Sequence, residues 1–99
     1  MSIEIPERDG DGYLRSMDAW TLEIGKAMAE ADDFEITDEM WEQIFKAREY
    51  YESENVVSPI RKFIKYVGVD KKKLYMLWQT GPMKPISKYG GLPKPTGCV

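Results

Sequence analysis

The sequence predicts a mostly helical α+β domain: a small helical bundle with a short N-terminal β-hairpin and a mobile C-terminal arm. Three patterns predict this architecture. Apolar residues recur at helical spacing between residues 20 and 78, aspartate and glycine alternate over residues 9–12, and glycine and proline crowd residues 90–97. With 99 residues, 42% of them hydrophobic, the chain has the size of a single domain.

The N-terminal segment has the pattern of a hairpin. Ile3-Glu4-Ile5 alternates apolar and polar residues, as a short strand does. Asp9-Gly10-Asp11-Gly12 has strong turn chemistry, and Tyr13-Leu14 follows it as the returning strand. We therefore expect two short paired strands at the start of the domain.

Two helices are predicted next. The first runs from about Asp18 to Asp32, and we expect Gly25 within it to mark close packing, because glycine is otherwise unfavourable in a helix. The second and longest begins after Thr37, a good N-cap, and runs to about Glu54. The apolar positions that define them are Trp20, Ile24, Ala27, Met28, Ala31, Met40, Trp41, Ile44, Phe45, Ala47 and Tyr51.

Three shorter helices complete the predicted bundle. One begins at Ser58-Pro59, with the serine as cap, and stops at Gly68. Another covers residues 71–78 with Asp70 as its cap. The last covers residues 83–89, which requires Pro85 to lie in its first turn.

The remaining residues predict an arm. Three glycines and two prolines in residues 90–99 are incompatible with a helix or a central strand. We therefore divide the chain into a helical domain, residues 1–89, and a flexible C-terminal arm, residues 90–99, which carries the single cysteine, Cys98.

Composition excludes several kinds of site. The chain has no histidine and one cysteine, which excludes an internal disulfide framework, ordinary zinc sites and hydrolysis by a Ser–His or Cys–His pair. We expect neither a metal nor another cofactor. Residues 1–12 are acidic without an apolar region, and no apolar run has the length of a membrane helix, so we expect a cytoplasmic protein.

Charge is distributed unevenly between the two halves. Residues 1–55 hold 16 of the 17 acidic side chains, whereas residues 56–99 hold nine of the 14 basic ones. One interpretation is a basic surface for a polyanion or an acidic partner, and the other is that the two halves neutralise each other within the fold. The basic half, from Arg61-Lys62 to Lys71-Lys72-Lys73, therefore allows an alternative function: a non-enzymatic nucleic-acid-binding or regulatory module.

Cys98 is the strongest candidate for chemistry. It is the only soft nucleophile and follows a narrow stalk in which Gly97 carries no side chain and Pro93 and Pro95 limit the entropy lost on docking. The reacting form is the thiolate, which the lysines at positions 84, 88 and 94 favour. Two interpretations stay open at this point: a reactive or ligand thiol, and an incidental terminal thiol.

Nearly the whole chain carries, in order, motifs of a known family. They are Gly12-Tyr13-Leu14, Trp20, Trp41, Arg48-Glu49-Tyr50-Tyr51, Ser58-Pro59-Ile60-Arg61, Leu74-Tyr75-Met76-Leu77, Gly81-Pro82-Met83-Lys84 and Gly91-Leu92-Pro93-Lys94-Pro95-Thr96-Gly97-Cys98-Val99. The chain resembles the DsrC/TusE family of sulfur-relay proteins, and the terminal segment is the most specific part of the resemblance.

The resemblance implies a sulfur carrier. Cys98 would accept sulfur as a persulfide from a TusBCD- or DsrEFH-like donor and pass it to an acceptor such as a tRNA 2-thiouridylase or a sulfur-oxidation enzyme. This is a sulfurtransferase in the carrier sense, without independent turnover, membrane or direct nucleic-acid contact. The arm and docking residues implied are Gly91, Leu92, Pro93, Lys94, Pro95 and Gly97.

One departure from the family pattern bears on chemistry. Two-cysteine DsrC proteins have a second cysteine eleven positions before the penultimate one, and this position is Ser87 here. The chain therefore resembles the single-cysteine, TusE-like members. The resemblance leaves tRNA thiolation and dissimilatory sulfur metabolism both open.

Overall fold

A computed structural model describes residues 4–95, and the prediction of a mostly helical domain is confirmed there. A short 3-10 helix, Met17–Ala19, precedes five α-helices. These are α1 (Leu22–Ala31), α2 (Asp38–Glu54), α3 (Ile60–Val67), α4 (Lys71–Trp78) and α5 (Met83–Tyr89). Among the described residues, no helix is long and apolar enough to cross a membrane.

Threonine side chains start the first two helices. Thr21 Oγ1 accepts the backbone N–H of Ile24 at 3.2 Å, and Thr37 Oγ1 accepts that of Met40 at 3.3 Å, so each satisfies a donor that the helix itself leaves unpaired. The bounds predicted for α2 are confirmed. The start predicted for α1 at Asp18 is wrong, because Trp20 and Thr21 have extended backbones that separate the 3-10 helix from α1.

The three shorter helices lie where the sequence predicts them. Gly68 ends α3 in the left-handed conformation, at φ 69°, and Pro85 is the third residue of α5. The predicted capping role of Ser58 is wrong. Pro59 occupies the N-cap position of α3, and the Ser58 hydroxyl donates instead to the carbonyl of Pro59.

The predicted N-terminal hairpin is also wrong, since residues 4–95 contain no strand. The chain does reverse over residues 9–12, but a single antiparallel bridge, between Arg8 and Leu14, joins its two sides. Pairing ends there because Pro6 restricts its own backbone and the 3-10 helix begins at Met17. Ile3, part of the first predicted strand, lies outside the described residues.

The core lies between α2 and its neighbours. Helix α2 packs against α3 and α5, and α5 also packs against α1. The fully buried large apolar side chains come from all five helices: Met28, Ile44, Phe63, Leu74, Met83 and Ile86. Because α5 is enclosed on two sides, the backbone that follows it starts from a fixed position.

Candidate functional site

The first residues of the predicted arm are packed into the domain. Gly90, Gly91 and Leu92 are buried, and the Leu92 side chain, 2% exposed, belongs to the hydrophobic core. The Leu92 N–H donates to the Ser87 carbonyl at 2.9 Å, which turns the chain back across the end of α5. Pro93 and Lys94 are exposed. The chain therefore leaves the packed domain after Leu92.

The side chains of Trp20 and Arg48 bind the backbone at the end of α5, just before the chain leaves the packed domain. The indole N–H of Trp20 donates to the Tyr89 carbonyl at 2.7 Å. The guanidinium of Arg48 donates to the Gly90 carbonyl and lies 4.0 Å from the centroid of the Trp20 ring, which adds a cation–π contact. Burial lowers the pKa of Arg48 and the charge of Glu52 opposes the shift, but a guanidinium stays protonated in either case.

Two glycines make this close approach possible. Gly91 has a φ of +69°, and a Cβ there would lie 2.5 Å from the ring atoms of Trp20. Gly25 lies on α1 where that helix meets the end of α5, and a Cβ would be 2.7 Å from the Tyr89 carbonyl oxygen. The expectation that Gly25 marks close packing is confirmed.

The N-terminal turn contacts the exposed part of the arm. Lys94 Nζ forms an ion pair with Asp11 Oδ2 and lies 3.8 Å from Asp9 Oδ2. The same ammonium lies 6.0 Å from the centroid of the Tyr13 ring. The hydrogen bond to Asp11 is the main reason that the pKa of Lys94 lies above its usual value.

A partly exposed network of hydrogen bonds connects this turn to the end of α5. Arg8 pairs with Asp32 at 2.6 Å and donates to the Gly12 carbonyl at 2.8 Å, while the Tyr89 hydroxyl donates to Asp32 at 2.9 Å. Burial and then the bond to Asp32 raise the pKa of Tyr89. Desolvation raises the pKa of Asp32, but the hydrogen bonds from Arg8 and Tyr89 outweigh it, so the net shift is downward.

A groove of about 490 Å³ opens beside the arm. Its walls include Tyr13 and Tyr89, the lysines at positions 84, 88 and 94, and Pro95, the last described residue of the arm. Lys88 Nζ lies 6.0 Å from the centroid of the Tyr13 ring and 5.7 Å from that of Tyr89. The three lysines named from the sequence thus surround one groove. Their effect on the Cys98 thiolate stays a prediction, because Cys98 lies outside the described residues.

The residues that the sequence named for the site have different positions in the structure. Gly91 and Leu92 are buried structural residues, Pro93 and Lys94 are exposed, and Pro95 is half-buried. Gly97 and Cys98 lie outside the described residues, so the role predicted for the thiol is untested there. Ser87, at the second cysteine position of two-cysteine relatives, is fully buried and its hydroxyl has no hydrogen-bond partner within residues 4–95.

Sequence reasoning missed most of the residues that hold the arm. Apolar spacing places Trp20 in the first predicted helix. The sequence allows Arg48 and Glu49 either to line a groove that receives the arm or to form an ordinary exposed helical pair. Arg48 contacts the base of the arm, whereas Glu49 accepts a hydrogen bond from the Tyr66 hydroxyl at 2.6 Å. The signal that was present is the spacing of glycines, since Gly25 and Gly91 both lie against the Trp20 side chain.

Comparison with known families identifies the family to which this chain belongs. A family model described as DsrC like protein matches residues 3–99, which includes the terminal segment with Cys98. The chain belongs to the DsrC-like family. The predicted resemblance to DsrC/TusE proteins is thereby confirmed over nearly the entire chain.

Named relatives of this DsrC-like chain are sulfurtransferases. The sulfurtransferase TusE homolog of Haemophilus influenzae is 36% identical over 98% of this chain and 94% of its own length. The sulfurtransferase TusE of Photorhabdus laumondii is 34% identical over 94% of this chain and 90% of its own length. Both alignments span 94% or more of this chain.

Solved structures of DsrC proteins share the fold. The solution structure of Allochromatium vinosum DsrC superimposes with a TM-score of 0.81 at 38% identity, covering 93% of this chain and 88% of that one. The oxidised γ-subunit of the Archaeoglobus fulgidus dissimilatory sulfite reductase, also DsrC, gives a TM-score of 0.79 at 32% identity, with 95% and 92% covered.

Proposed function

We propose that this DsrC-like protein is a sulfur carrier, in which Cys98 accepts sulfur as a persulfide and passes it to an acceptor protein. The observation that carries the proposal is the family match through residue 99 in a chain whose only cysteine is Cys98. Relatives named sulfurtransferases, aligned over 94% or more of this chain, support transfer as the activity.

The proposed reaction is two successive thiol–persulfide exchanges. The Cys98 thiolate attacks the outer sulfur of a donor persulfide, the donor's S–S bond breaks, and the donor cysteine leaves as a thiolate. Cys98 then holds one additional sulfur atom. An acceptor thiolate attacks that sulfur, and the Cys98 thiolate is regenerated. Sulfur is transferred without net oxidation or reduction, so the carrier needs no resident cofactor.

The packed base of the arm supports this function by giving the thiol a fixed origin and a limited reach. Leu92 is buried in the core, and Cys98 lies six positions further along the chain. A fully extended chain covers at most about 3.6 Å per residue, so Cys98 lies within roughly 20 Å of Leu92 in any conformation. We therefore propose that the working arm begins at Pro93, and that residues 4–92 form the folded domain.

Mass spectrometry tests the carrier proposal. Incubation with a persulfide-loaded cysteine desulfurase should add about 32 Da, one sulfur atom, to the wild-type protein and none to the Cys98→Ser variant. Reduction with dithiothreitol should remove the added mass. Equal labelling of Cys98→Ser, or no labelling of the wild type by any protein persulfide donor, would contradict the proposal.

The proposed partners follow from the same chemistry. The donor is a protein persulfide of the TusBCD or DsrEFH kind, and the acceptor is a sulfurtransferase of tRNA 2-thiouridine synthesis or an enzyme of sulfur metabolism. The nucleic-acid-binding alternative makes a different prediction: binding of duplex DNA or tRNA that survives deletion of residues 93–99. The family match and the named relatives support the carrier over this alternative.

A further inference from the structure

Lys94 is the point at which the exposed arm contacts the folded domain. Its ammonium pairs with Asp11 Oδ2 and lies 3.8 Å from Asp9 Oδ2, so two carboxylates from one turn face a single cation. Pro93 and Pro95 flank it and restrict the backbone on both sides. Lys94 lies two residues after the buried Leu92 and four before Cys98.

The N-terminal turn presents its carboxylates in a prepared arrangement. Asp9 Oδ1 accepts the backbone N–H groups of Asp11 and Tyr13, at 2.9 and 3.1 Å, which fixes the side chain and leaves Oδ2 directed towards Lys94. The Arg8 side chain donates to the Gly12 carbonyl and braces the same turn. The cost of ordering the Asp9 carboxylate is therefore met within the turn, before Lys94 arrives.

The carboxylate of Asp9 and the ammonium of Lys94 each stabilise the charged form of the other. Desolvation raises the pKa of Asp9, but the two backbone hydrogen bonds and the positive charges of Lys94 and Arg15 outweigh it, and the pKa lies below its usual value. The hydrogen bond to Asp11 raises the pKa of Lys94. Both partners are therefore charged at neutral pH, and the pairing depends on ionic strength more than on pH.

We propose that Lys94 is a positioning residue for sulfur transfer: its pairing with Asp9 and Asp11 holds the start of the arm against the N-terminal turn and thereby sets the direction in which Cys98 is presented. The effect on transfer rests on the proposed carrier function, whereas the effect on the arm does not.

Amide nitrogen relaxation tests the structural part. In the wild type the backbone order parameter at residue 94 should be near the value of about 0.85 typical of rigid backbone, and in Lys94→Gln it should fall below about 0.6. Lys94→Arg, which keeps the charge, should restore it. Arg15→Gln is the matched control, because it removes a positive charge beside the same turn, while Arg15 pairs with Glu7 and forms no ion pair with residues 93–95, the described part of the arm. Added salt of about 0.5 M should loosen the wild type and leave Lys94→Gln unchanged.

Transfer kinetics test the functional part. Sulfur acceptance from a protein persulfide donor should slow by roughly two- to fivefold in Lys94→Gln, the factor that an exposed ion pair provides. Alkylation of Cys98 by iodoacetamide measures any change in thiolate reactivity that follows from loss of the Lys94 charge. Sulfur acceptance should slow by more than alkylation does, and the excess is the positioning effect.

The possible failures are distinguishable. An unchanged order parameter in Lys94→Gln, or an equal fall in Arg15→Gln, overturns the role of Lys94 even if the wild type carries sulfur. A changed order parameter with equal transfer rates in wild type and Lys94→Gln overturns the positioning role. A wild type that accepts no sulfur contradicts the carrier function and leaves the contact between arm and turn standing on the relaxation data.

Discussion

At the scale of single residues, Arg48 makes the contact on which the arm's position most depends. It lies on α2 and donates to the carbonyl of Gly90, a residue 42 positions further along the chain. Its guanidinium also covers the Trp20 ring at 4.0 Å, while Trp20 itself bonds the carbonyl of Tyr89. Arg48 therefore links α2 to the end of α5 in two ways: directly through the Gly90 carbonyl, and through Trp20 to the Tyr89 carbonyl.

Replacing Arg48 should therefore destabilise the whole domain. Arg48→Met keeps most of the apolar stem and removes a charge-assisted hydrogen bond to a buried carbonyl, so the free energy of unfolding should fall by about 2 kcal/mol. Arg48→Lys should recover part of the loss. Lys46→Met, an exposed change on the same helix, is the control and should have little effect in urea unfolding. Equal midpoints for the two methionine variants would show that the Gly90 contact contributes nothing.

At the scale of elements, Gly68 and Gly91 share the left-handed conformation but have different surroundings. Gly68 ends α3 and Gly91 follows α5, and both have a φ of +69°. A Cβ at Gly68 would meet nothing within 4 Å, whereas a Cβ at Gly91 would overlap the Trp20 ring at 2.5 Å. The same backbone conformation therefore ends a helix beside open space at Gly68, whereas at Gly91 it packs the backbone against the Trp20 ring.

This difference predicts unequal costs for the same substitution. Gly68→Ala should lower the free energy of unfolding by about 1 to 2 kcal/mol, the cost of a left-handed alanine. Gly91→Ala carries that cost and must also displace Trp20, so its loss should be larger by about 1 kcal/mol or more. Chemical denaturation of both variants measures the difference. A loss at Gly91 equal to that at Gly68 would mean that the indole moves away without cost.

At the scale of the whole molecule, we propose that the boundary between domain and arm lies later than the glycine content indicates. The sequence places it before Gly90, but the structure packs residues 90–92 against the domain. Leu92 is a core residue, and Pro93 and Lys94 are exposed. Glycine content alone predicts a loose segment here, whereas glycine in fact permits the backbone to lie against Trp20.

Two changes on either side of this boundary should behave differently. Deletion of residues 93–99 should shift the midpoint of thermal unfolding by a few degrees at most, because the described residues among them contribute little to the core. Leu92→Ala should cost about 2 to 5 kcal/mol, as for other buried leucines. Circular dichroism during heating measures the midpoint of thermal unfolding. A large fall in the midpoint on deletion would show that residues 93–99 contribute to the stability of the domain.

Local sequence signals predicted the helices. They failed for the N-terminal hairpin, because a hairpin depends on pairing between two separate segments. The N-cap Thr37 and apolar spacing located α2, because both features act within a few residues. Asp70 marked the start of α4 although its side chain makes no capping hydrogen bond, and the flanking glycines and prolines bounded α5. The hairpin prediction failed because a turn signal at residues 9–12 does not determine how far the flanking segments pair. The reversed chain instead supplies Asp9 and Asp11 to Lys94, a use that no local pattern indicates.

The sequence by itself determined the helical architecture, the family and the single thiol at Cys98, because periodicity, capping and motif order are properties of neighbouring residues. Only the tertiary structure decided how the arm is held. Trp20 bonds a carbonyl 69 residues away, and Arg48 one 42 residues away. Contacts over such separations depend on how the helices pack, and that packing places the start of the arm beside the N-terminal turn.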